Sequence, residues 1–180
     1  ALGRAALAKG DPPTAKLHFS AAFEPPRNLA EARHLLANQS DIHYWLGKAH
    51  AAAGDKSAAR RHWNLAANFR GDFQSMSVRA YSEMTFFSAR SLEKLGRPAR
   101  ARALFQALFD YARKLAKTDA KIDYFATSLH TMLLFDDDLT ARQKTTALFL
   151  RAQAELGLGR LRSARTHLAG VLRRDPRHAG

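Results

Sequence analysis

The sequence predicts an all-α fold, and three observations carry that prediction. Alanine (35), leucine (24), arginine and lysine, all good helix formers, fill the stretches between sparse glycines and prolines. Apolar residues recur at spacings of three and four. Across 58–69 they stand at Ala58, Ala59, Trp63, Ala66, Ala67 and Phe69, one face of a helix. No useful length of chain alternates with period two. At 180 residues there is enough chain to bury a core, as one domain or a short run of repeats.

Four turns then align in register: Gly10-Asp11, Gly54-Asp55, Gly96-Arg97 and Gly159-Arg160. Five residues after each glycine stands Ala15, Ala59, Ala101 or Ala164. Nine after it stands a bulky Phe19, Trp63, Phe105 or Leu168, and twelve after it Ala22, Ala66, Leu108 or Val171. Leu2-Gly3 and Leu46-Gly47 begin eight residues before the first two turns, and Ala89 and Ala152 hold the second position of that pair in the other copies. Each residue type has a physical reason. A glycine after a helix takes the left-handed conformation at low cost. Pro12, Pro13 and Pro98 suit a helix start, where a missing N–H is tolerated. The small residues before and after the turn let two antiparallel helices approach closely, and the bulky one is expected to fill the gap between neighbouring hairpins.

This arrangement resembles the tetratricopeptide repeat, whose W-x-x-L-G motif, small residue, aromatic, second small residue and proline follow the same spacing. The second copy matches best, with Tyr44-Trp45-Leu46-Gly47, Gly54-Asp55, Ala59, Trp63 and Ala66. The third and fourth lose the Leu-Gly pair, and only the fourth keeps the terminal Asp175-Pro176. The resemblance implies antiparallel helix-pair repeats wound into a right-handed superhelix, with repeat cores at about 1–27, 40–69, 82–117 and 145–178 of a single domain. It also implies a non-catalytic scaffold that binds a peptide or partner domain along a concave face.

The turn glycines lie 44, 42 and 63 residues apart, more than the repeat of about 34 residues requires. The excess marks inserts at about 28–39, 70–81 and 118–144. The first is read as a short helix, Leu29–Leu36. In the second, the helix before Gly96 is expected to start near Gln74. The third holds Lys121–Phe135, then Asp136-Asp137-Asp138 capping a long helix from Leu139 to Leu156. The stretch Lys121–Leu129 resembles late repeats of certain long bacterial proteins in which a β-rich domain precedes a tetratricopeptide tail. With the first copy opening in mid-helix at Ala1, the expectation is a piece of a longer polypeptide.

Within the family, the first helix of each repeat supplies the concave face, notably ten and six residues before the turn glycine. The ten-before position holds Tyr44, Phe86 and Phe149; the six-before position holds Arg4, Lys48, Arg90 and Gln153. These seven residues are the predicted partner-binding set. An aromatic stripe beside a basic one suits a peptide with acidic and apolar side chains. The alternative is ordinary packing for the rings and a solvated face for the cations. The family's carboxylate clamp needs lysine and asparagine where this chain has Tyr44, Lys48 and Phe86, so that specificity is not implied.

Other chemistries find less in the sequence. Without cysteine there is no disulfide, thiolate metal site or cysteine nucleophile. His43 and His50 could share a helix face, with His62 on the next helix, but three or four converging ligands are wanted for zinc and no His-Glu-x-x-His occurs. No nucleophile elbow or phosphate loop is present, so neither enzymatic activity nor a cofactor is expected. The formal charge of +13 is uneven: ten cations against five anions in 1–70, ten against nine in 71–140, nine against two in 141–180. The arginines near the last helix raise nucleic acid as a minor alternative, unsupported by nearby aromatics or a reading helix. No membrane segment or signal peptide is visible, so the expected location is the cytoplasm. A structural or dimerising tail of a larger bacterial enzyme or binding protein is the main alternative to the scaffold.

Overall fold

The computed structural model describes residues 1–24, 37–74, 77–120 and 138–178. Among these, eight helices and one two-stranded hairpin follow each other as α1 (Leu2–Ala8), α2 (Pro12–Ala21), α3 (Ser40–Ala52), α4 (Lys56–Asn68), β1 (Asp72–Gln74), β2 (Ser77–Arg79), α5 (Met84–Lys94), α6 (Pro98–Leu115), α7 (Leu139–Gly157) and α8 (Leu161–Arg174). The fold is mostly helical, as expected. The short helix expected at 29–36 and the segment 121–135 lie outside the described residues.

All four aligned glycines turn the chain in the same way. Gly10, Gly54, Gly96 and Gly159 have φ of +76°, +84°, +72° and +77°, a region that a Cβ disfavours. In each, the residue after the glycine donates its N–H to the carbonyl five residues earlier: Asp11 to Ala6, Asp55 to His50, Arg97 to Leu92 and Arg160 to Glu155, at 2.8–3.0 Å. These bonds satisfy carbonyls that a helix end leaves open. The next helix starts at once. Asp11 and Asp55 accept from the N–H of Thr14 (3.1 Å) and Ala58 (2.9 Å), while Pro12 and Pro98 open α2 and α6. Asp138 caps α7 by accepting from Ala141 N–H at 2.9 Å; Asp136 and Asp137 lie outside the described residues.

Each helix packs on its neighbour in sequence across all four pairs and between pairs. The first helices of successive pairs also touch, α3 with α5 and α5 with α7, so one side of the molecule is a row of first helices. Helices α6 and α7 run antiparallel: Gln143, near the start of α7, bonds the Leu115 carbonyl at the end of α6, while Gly157, at the end of α7, faces Phe105.

The bulky residue nine after each of the first three turns does more than fill a gap between hairpins. Phe19 covers Gly3 and Trp63 covers Gly47, each within its own helix pair, so closely that a Cβ on either glycine would overlap the ring. The same rings reach onward. Phe19 stacks on Trp45 of the next pair at 6.2 Å between centroids, and Trp63 packs against the cluster of Ala67, Ala89, Leu92, Leu95, Ala101 and Phe105. Phe105, 1% exposed, lies against Gly157 of the following pair.

The expected start of α5 near Gln74 is corrected. Residues 72–74 and 77–79 pair as an antiparallel hairpin with Phe73 opposite Val78, and α5 begins at Met84. Gly71, at φ +66°, brings the chain against the Arg79 carbonyl. Asn38 ties this insert to the head of α3, donating its backbone N–H to Asp72 Oδ1 and its Nδ2–H to the Gly71 carbonyl, both at 2.9 Å. The helix start signal lies later, where Ser82 Oγ accepts from Met84 N–H and Thr85 Oγ1 accepts from Ser82 N–H.

Replacing Gly47 with alanine should displace the Trp63 indole and lower stability by about 1–3 kcal/mol in urea unfolding. Gly170→Ala, inside α8, meets the movable end of Leu148 and should cost nothing or stabilise by about 0.5–1 kcal/mol. Equal effects of the two substitutions would show that helix propensity, rather than ring contact, governs Gly47.

Candidate functional site

On the row of first helices, α1 and α3 bring together two of the predicted cations and a ring outside the predicted set. Arg4 Cζ lies 5.2 Å and Lys48 Nζ 4.7 Å from the centroid of Trp45, both within cation–π range. Trp45 is half-buried between Phe19 (6.2 Å) and Tyr44, whose ring meets it edge-on at 5.4 Å. On α5, Arg90 and Lys94 are four residues apart and share a face. Burial pushes the Lys48 ammonium below its ordinary pKa, and the positive charges of Lys94 and Arg90 push it further. The Lys48 ammonium therefore feels the charge of both α5 cations. Arg90 is partly neutralised by Glu93, 2.6 Å away on its own helix.

The predicted aromatic stripe needs correction as a surface. Tyr44 and Phe149 are each 6% exposed. Tyr44 packs on Phe87 at 5.7 Å and Phe149 on His178 at 4.5 Å, while Phe86 is half-buried against Phe87 and Phe105. Burying apolar area is more favourable than displaying it, and each ring takes its own route: Tyr44 into the seam with α5, Phe86 towards α6 and Phe149 beneath the end of the described chain. Gln153 stands apart from the basic group. Its Nε2 donates to the Glu83 carbonyl at 3.4 Å, and its Oε1 is buried without a partner.

Glu83 marks a second electrostatic zone. Burial raises its pKa, Asp72 and Asp41 raise it further, and His178 opposes the shift. The row of first helices thus carries a basic zone (Arg4, Lys48, Arg90, Lys94), and an acidic one gathers where the starts of α3 and α5 (Asp41, Glu83) meet Asp72 of the insert. Trp45 was legible only as part of a packing motif. Lys94 had a usable signal, its spacing of four from Arg90.

The histidines assemble as their spacing suggested. His43 Nδ1 is 3.0 Å from His62 Nδ1, and the His62 ring stacks on His50 with centroids 5.3 Å apart. At that distance one neutral ring donates N–H to the other's lone pair. Among the described residues no three His, Cys, Asp or Glu side chains are arranged to hold a metal ion. In α7 the buried Glu155 receives His167 at 2.7 Å and Arg151 at 3.2 Å, which satisfies both of its oxygens.

No family model matches the chain. No described helix is long and apolar enough to cross a membrane.

Burial, reinforced by His62, holds the His43 pKa at about 4 against 6.5 for a free histidine, and His62 is lowered too. The unfolded chain therefore binds the extra proton first, and stability should fall as pH drops from about 6.5 to about 4. His43→Phe, placed against Phe23 and Phe69, should flatten that decline. Urea midpoints measured at steps between pH 7 and pH 4 check this, and an unchanged slope would refute it.

Proposed function

We propose that the chain is a tetratricopeptide-like right-handed superhelix serving as a non-catalytic scaffold, and that its row of first helices binds an acidic peptide with apolar side chains. The observation that supports this most is the Trp45 ring with Arg4 and Lys48 both against it. A ring so placed offers apolar contact beside two cations able to meet carboxylates. Arg90 and Lys94 extend the positive charge onto α5, and binding energy of this kind is screened by salt. The acidic zone around Glu83 sets a direction, because a peptide with carboxylates at one end and a cation at the other fits one way round.

Fluorescence anisotropy with labelled peptides of alternating Asp/Glu and Leu/Phe tests the reading. Lys48→Glu should weaken binding at least tenfold and Trp45→Ala by a similar factor, whereas Lys114→Glu, exposed on α6, should not. Affinity that survives Trp45→Ala combined with Lys48→Glu in a folded protein would sink the assignment.

A second reading, a tail that packs on another domain or a second copy, is favoured by α8. Leu161 and Leu172 are 63% and 54% exposed, and eleven residues of helix return them to one face. If this face mediates association, the chain should sediment as a concentration-dependent dimer and Leu161→Glu with Leu172→Glu should make it monomeric. A monomer at all concentrations excludes self-association.

A further inference from the structure

The insert that interrupts the repeat spacing helps to line a cleft. It opens between the end of α4, the hairpin flanks and helices α5 and α6, with a volume of about 520 Å³. That volume falls within the range of small-molecule sites. Tyr81, Leu92 and Leu104 give it apolar walls. It is a separate place from the peptide face: Ser88 and Leu92 lie about 200° around α5 from Arg90 and Lys94. Its chemistry is independent of whether the first helices bind a peptide.

Two polar groups in this cleft lack partners. Ser88 lines it at 1% exposure, and its hydroxyl makes no hydrogen bond. A buried hydroxyl left so is unfavourable, and a ligand oxygen accepting its proton removes the penalty. Arg100 stands exposed on the lining, and among the described residues it makes no hydrogen bond, ion pair or ring contact. Four residues separate Arg100 from Leu104, one helical turn, so the cation lies one turn along α6 from the apolar wall. Apolar walls, an unsatisfied hydroxyl and an unpaired guanidinium together describe the complement of one ligand class.

We propose that the cleft is a binding site for a small monocarboxylate with an apolar body, of the size of a medium-chain fatty acid. Its carboxylate pairs with Arg100 and, once rotation about χ1 turns the buried hydroxyl into the cleft, accepts from Ser88, and its body lies against Tyr81, Leu92 and Leu104. Binding involves no covalent step.

Isothermal titration with decanoate, decan-1-ol and decyltrimethylammonium tests this. Decanoate should bind saturably at one site per chain, and the alcohol and the cation at least tenfold more weakly. Arg100→Glu should weaken decanoate at least tenfold and Ser88→Ala about threefold. Ala103→Trp, on the exposed edge of the cleft, should fill it and abolish binding. Circular dichroism and thermal melts establish that each variant is folded. Should Ala103→Trp fail to fold, Arg100→Glu, on the exposed surface of α6, decides alone. No saturable heat up to 1 mM decanoate overturns the proposal, as does equal binding of the cationic amphiphile or binding insensitive to Arg100→Glu.

Discussion

A ring lying on a glycine organises the two N-terminal helix pairs. Phe19 on Gly3 and Trp63 on Gly47 bring two helices closer than any side chain at those glycines would allow. The approach fixes where the far face of each ring emerges. Phe19 then meets Trp45, and Trp63 meets the apolar residues of α5 and α6, so contact within one pair sets the seam with the next. Trp63 carries an added restraint, because its Nε1–H donates to the Tyr44 carbonyl at 3.3 Å. Farther along, the notch moves: Phe105 finds its glycine, Gly157, in the following pair instead of its own. The same ring-and-notch contact thus serves to close a pair in one place and to join pairs in another.

That packing decides which groups reach the surface of the first helices. Phe19 supports the Trp45 ring from behind, and Tyr44 meets it edge-on. Arg4 and Lys48 settle on what remains. Their flexible stems are ordered by contact with a ring whose own position is set by the core, an arrangement that lowers the entropy lost when a partner docks. The acidic zone has a different origin. Asp72 belongs to the insert, and Asn38 holds it against the head of α3, so charge opposite in sign arrives from a segment outside the helix pairs.

Much of the helical plan was legible because it is local. A left-handed turn needs glycine and a helix start is helped by a capping oxygen or proline; all four turns repeat the first, and the first three add the second at fixed offsets. The Asp138 cap and the span of α7 were readable for the same reason. The hairpin was not, because three residues per strand are too few for alternation to register, and its anchor, Asn38, lies 34 residues away from Asp72. At the candidate site, the six-before cations were legible from spacing, but Trp45 was not. A tryptophan in a packing motif gives no sign of which edge stays exposed until Arg4, from another helix, is seen against it. Burial of Tyr44 and Phe149 likewise depends on neighbours remote in sequence, Phe87 and His178.

The placement of the two tryptophans has an optical consequence. Trp63 is anchored by its indole N–H beside a glycine in the core, while Trp45 is half-buried with a guanidinium and an ammonium against its ring. With no third indole in the chain, emission from a Trp45→Phe protein reports the closure of the second helix pair, and emission from a Trp63→Phe protein reports the charge and solvent at the first-helix face. One molecule thereby carries separate luminescent gauges of its folding and of its surface.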